Sequence, residues 1–119
     1  MKLIDIVNKN QILKQIVETK DIPVTFKFKV LGVMKAIEPF LVNLETIRNE
    51  LINKYGETKE DGTISLARES ENFPVFAKEY EELLNGETDY DMPKFKASEI
   101  MNIGIDTNLL LGMYDIIEE

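Results

Sequence analysis

VTFKFKVLGVMKAIEPFLVNLETIRNELINKY, residues 24–55, decides the fold, because its opening carries two periodicities at once. Val24, Phe26, Phe28 and Val30 alternate with Thr25, Lys27 and Lys29, the two-residue period of a half-buried strand. Phe26, Val30, Val33, Met34, Ile37, Leu41, Leu44, Ile47, Leu51, Ile52 and Tyr55 also form a nearly unbroken stripe at helical spacing. The longer pattern outweighs the shorter, so a long central helix is expected, with residues 24–30 open to either reading. Pro39 lies inside the stripe, where it costs about 3 kcal/mol, and predicts a kink near Pro39 or a break just before it. Gly56 follows the last stripe residue and is placed to end the helix in the left-handed conformation.

Upstream, Leu3, Ile4, Ile6 and Val7 form a short apolar opening, after which Asn8 or Asn10 can cap a helix that buries Ile12, Leu13, Ile16 and Val17. Asp21-Ile22-Pro23 ends it, since the residue before a proline is pushed away from helical dihedrals. Downstream, Asp61-Gly62 followed by Thr63-Ile64-Ser65-Leu66 predicts a small hairpin. Ser70 or Asn72 can cap the next helix, lined by Phe73, Phe76, Ala77, Tyr80, Leu83 and Leu84 and stopped by Asn85-Gly86. Thr88, Tyr90 and Met92 then alternate with Glu87, Asp89 and Asp91, and Pro93 confines any strand over Glu87–Phe95 to an edge. Asp106 or Thr107 caps a last helix that buries Leu109, Leu110, Met113, Ile116 and Ile117. The sum is a predominantly helical α+β fold with a minor β element and a C-terminal helix. With no internal repeat and no long linker, residues 1–119 are expected to form a single domain.

The chain has no histidine and no cysteine, which removes the commonest proton shuttles, nucleophiles and soft metal ligands. Its serines, Ser65, Ser70 and Ser98, stand in no nucleophile context, and Gly32 and Gly104 are isolated from any phosphate-cradling loop. No catalytic, cofactor-binding or metal-binding residue is predicted, and the chain reads as a non-enzymatic binding protein. Residues 1–60 hold nine Lys and one Arg against eight acids, net +2, whereas residues 61–119 hold three Lys and one Arg against fourteen acids, net -10. That layout keeps exposed faces soluble, or favours head-to-tail contact between the oppositely charged halves of two subunits, or presents carboxylates to a cationic partner surface. Direct nucleic-acid binding is disfavoured, because the basic residues are few and scattered. No apolar stretch suits a transmembrane helix, and the first ten residues lack a basic leader pattern, so no membrane association and a cytoplasmic location are expected.

Two sets of residues are candidates for partner binding. On a strand, Glu87, Asp89 and Asp91 would project together, either as a solvated edge that resists aggregation or as an acidic contact. Phe28 and Tyr114 sit off the main helical stripes. Such off-stripe aromatics imply a second buried face, explained either by a thicker core or by a homodimer in which the long helix packs on its symmetry mate.

The run from Ile22-Pro23 to Arg48-Asn49-Glu50-Leu51-Ile52-Asn53-Lys54-Tyr55-Gly56, with Glu60-Asp61-Gly62, Glu81-Glu82-Leu83-Leu84, Met92-Pro93-Lys94 and Ile116-Ile117-Glu118-Glu119, resembles a group of small proteins in phages and prophages of Gram-positive bacteria. The resemblance covers most of the chain and implies helix after the Ile-Pro pair. Its motifs are structural and carry no catalytic signature. It implies a phage setting in a bacterial host cell; there the surplus aromatics and long helix suggest a structural or assembly accessory working through protein contacts, and the acidic half suggests an inhibitor of a host factor, of anti-defence or nucleic-acid-mimic type.

Overall fold

A computed structural model describes residues 1–100 and 103–118. Among these, α1 (Leu3–Glu18) and α2 (Val24–Tyr55) are followed by the strands β1 (Glu57–Thr58) and β2 (Ile64–Ser65) and by α3 (Phe73–Leu84). The chain then forms β3 (Phe95–Lys96), α4 (Ala97–Ile100), α5 (Thr107–Gly112), a 3-10 turn (Tyr114–Ile116) and β4 (Ile117–Glu118).

Residues 24–30 are helical, and burial shows why the longer period wins: Phe26, Val30, Val33, Ile37 and Leu44 face inward while Val24 and Phe28 are exposed. A strand would have put all four alternating apolar residues on one side. Of the two outcomes expected at Pro39, the break is not realised: the helix is one continuous element from Val24 to Tyr55 with Pro39 inside it. Pro39 is on the exposed side, as is Lys35, whose carbonyl loses its helical partner to the missing N–H and can turn to water instead. Asn8 and Asn10 cap nothing; they lie inside α1, which begins at Leu3 and buries Ile6, Leu13 and Ile16. The start of α1 is satisfied from afar, with the Leu3 N–H donating to the Gly86 carbonyl at 3.0 Å. Asp21 adopts φ 65° in the turn between α1 and α2.

Gly56 is not left-handed: it is extended, at φ -81° and ψ 169°. Glycine is required there by close approach, since a Cβ would stand 2.5 Å from the Ile52 carbonyl oxygen and 2.8 Å from that of Ser65. The hairpin that presses on it pairs Glu57 with Ser65 and Thr58 with Ile64. Its turn is held by the Gly62 N–H on the Lys59 carbonyl at 3.0 Å and the Lys59 N–H on the Thr63 carbonyl at 2.7 Å. Gly62 takes the left-handed position at φ 86°, the arrangement of a turn closed by a glycine bulge. Asn72 precedes α3, yet its side chain does not cap that helix; its amide donates to the Tyr55 carbonyl at 3.2 Å and ties α3 to the end of α2.

Glu87–Phe95 does not form the expected strand. Glu87 makes one antiparallel bridge with Lys2, and only Phe95–Lys96 joins a sheet, in parallel with Ile117–Glu118. The alternation nonetheless governs burial: Met92 is buried and Thr88 and Tyr90 half-buried, with the acids between them exposed. The last helix is also shorter than expected. Asp106 caps it by accepting from the Asn108 N–H at 2.8 Å, but it ends at Gly112, and the buried Met113 and Ile116 belong to the turn that leads into β4.

One cluster of thirteen buried residues joins α1, the first half of α2 and the C-terminal segment from Met92 to Ile116. Phe95 is at its centre, fully buried, with its ring 5.6 Å from that of Phe26. The second half of α2 extends past this core and carries α3 and the hairpin, which accounts for the elongated 53 × 30 × 23 Å outline.

Candidate functional site

The chemistry-bearing side chains form no enclosed polar site among the described residues. Their ion pairs serve as struts between elements. Lys9, whose side chain is 12% exposed, reaches from α1 to the Gly112 carbonyl at 2.8 Å and to the Asp115 carboxylate at 2.7 Å. It thereby satisfies a carbonyl left open at the end of α5. Lys29 leaves α2, passes over the Phe95 ring at 4.8 Å from its centroid, and donates to the Lys94 carbonyl at 3.3 Å and to Glu99 Oε2 at 3.2 Å. That hydrogen bond from Lys29, with a second from the Lys96 N–H, holds the Glu99 carboxyl below its ordinary value. The Thr63 hydroxyl and N–H do the same for Asp61 in the hairpin turn. Burial against Phe40 raises the Tyr90 phenol.

Glu87, Asp89 and Asp91 are all exposed at alternate positions of an irregular segment that bends at Asp89, without the sheet that would fix them as a row. Glu87 faces the Met1 amino group at 3.4 Å. Among the described residues no group of three or more carboxylates is placed to hold a metal ion. No helix among them is long and apolar enough to cross a membrane.

Two apolar surfaces stand out instead. Leu111 and Tyr114, 67% and 78% exposed, rim a groove of about 240 Å³ between α4 and α5, floored by Ile100, Leu110 and Ile117. It exists because the parallel β3–β4 pairing brings the chain end beside α4, a long-range contact with no local sequence signal. The other surface is the outer face of α2, where Val24 and Phe28, 81% and 78% exposed, continue into Leu31 and Val42. Shallow depressions flank it, one lined by Asn10, Met34 and Leu41 beside Leu31, another by Thr46 beside Val42. The two predicted aromatics therefore occupy different elements: Tyr114 lines the C-terminal groove and Phe28 lies on α2. Sequence reasoning missed Lys9, Lys29 and Leu111. Leu111 alone had a usable signal, since it falls off the stripe of Leu109, Leu110 and Met113.

Comparison with protein-family models, curated proteins and solved structures found no match to this chain.

Proposed function

We propose that this protein acts by binding other proteins, as a non-enzymatic phage-type accessory with a structural or assembly role in the cytoplasm of a bacterial host, and that it does so as a homodimer. The observation that carries the reading is the concentration of exposed large apolar side chains on two surfaces, the C-terminal groove with Leu111 and Tyr114 and the outer face of α2 with Val24 and Phe28. Scattered apolar residues on a protein surface need no explanation, but an apolar groove rimmed by an exposed tyrosine carries one of the residue types enriched at binding hot spots. The phage resemblance supplies the biological setting.

A second reading, an acidic inhibitor of a host factor, is favoured by the exposed Glu87, Asp89 and Asp91 within a second half of net charge -10. The two differ in their response to salt, because an electrostatic contact weakens steeply with ionic strength and an apolar one does not. The test is affinity capture from infected host cells with the wild type and a Leu111→Ser/Tyr114→Ser variant. A protein retained by the wild type through high-salt washes and lost by the variant is the expected result. Retention that depends on the acids, or none at all, contradicts the groove as the binding surface.

A further inference from the structure

The exposed face of α2 has a finer order than its apolar content. Val24, Phe28, Leu31, Lys35, Glu38 and Val42 follow one another in alternating steps of four and three residues, all exposed, on the side of the helix opposite the core. This is the spacing of a coiled-coil seam. Glu45 continues it.

We propose that this seam is the contact surface for a second copy of the chain, packed antiparallel about a two-fold axis that passes between Lys35 and Glu38. Charge complementarity selects the arrangement. In a parallel, in-register pair each seam residue meets itself, so Lys35, Glu38 and Glu45 would each oppose a like charge. With the axis between Lys35 and Glu38, Lys35 of each copy meets Glu38 of the other, forming two symmetric ion pairs. Leu31 meets Val42 on both sides of them, and Phe28 lies along the methylene stem of Glu45. A shift by one seam step toward the N-terminus sets Lys35 against Leu31 and Glu38 against Phe28, keeps an apolar contact only between Val24 and Val42, and loses both ion pairs.

The inference rests on the homodimer within the proposed function. Since the chain has no cysteine, a single substitution introduces a single thiol. Leu31→Cys and Val42→Cys proteins, mixed and oxidised, are expected to give a disulfide-linked dimer, and neither is expected to do so alone. Identical positions lie about 16 Å apart along the helix axis in this register, beyond the reach of a disulfide, whereas Leu31 and Val42 face each other. Lys35→Glu is expected to weaken self-association about tenfold, and adding Glu38→Lys to restore it. Cross-linking of either cysteine variant with itself, in a protein that light scattering shows to be dimeric, overturns the register and leaves the homodimer standing. A protein that stays monomeric at the highest concentration tested overturns both.

Discussion

Gly56 and Gly32 differ in what a side chain would meet there. At Gly56 the obstacle is backbone oxygen from Ile52 and Ser65, which cannot move aside as a side chain would. Gly56→Ala is therefore expected to destabilise the protein by about 1–3 kcal/mol. Gly32 is exposed in the interior of α2 with open space around it, so Gly32→Ala is expected to stabilise by about 0.5–1 kcal/mol through helix propensity alone. Urea unfolding of the two variants reads both signs. The sequence placed a glycine at the end of α2 and suggested the left-handed closure that glycine usually serves. What it could not reveal was the hairpin folding back onto that position, because the contact with Ser65 is tertiary.

Among the elements, α2 was legible because a helical stripe of some thirty residues outvotes a seven-residue alternation. Even so, Val24–Val30 satisfied both periods, and only the burial of Phe26 and Val30 with the exposure of Val24 and Phe28 separates them. The acidic segment after α3 shows the opposite limit. Its period of two predicted which side chains turn inward, but a strand also needs a neighbour with free backbone groups, and among the described residues it meets the start of α1 only at the Lys2–Glu87 bridge and through the Thr88 N–H on the Met1 carbonyl. The C-terminal groove was illegible for a related reason: it depends on β3 and β4 meeting across more than twenty residues of chain. The junction of α2 with α4 carries a pH dependence of definite sign. The Glu99 carboxyl is held below its ordinary value of 4.5 by Lys29 and the Lys96 N–H. Its contribution to stability is present above that value and is lost as pH falls through the lowered value in the folded chain. Glu99→Gln should accordingly lower the urea midpoint at about pH 6 and have a vanishing effect toward about pH 3. An equal effect at both would show that the pair is not what stabilises the junction.

For the whole molecule, the elongated outline follows from α2 reaching past the core formed with α1 and the C-terminal segment. α2 has one face in the core and an ordered apolar and charged seam on the other, and that seam is the surface on which the proposed second copy would pack. Light scattering coupled to size-exclusion chromatography, at about 100 μM protein and from about 50 mM to about 1 M salt, tests this most directly. The account predicts twice the 13.7 kDa mass of one chain throughout, because apolar contacts outlast the screening of the Lys35–Glu38 pairs. A mass of one chain across the whole range would contradict it.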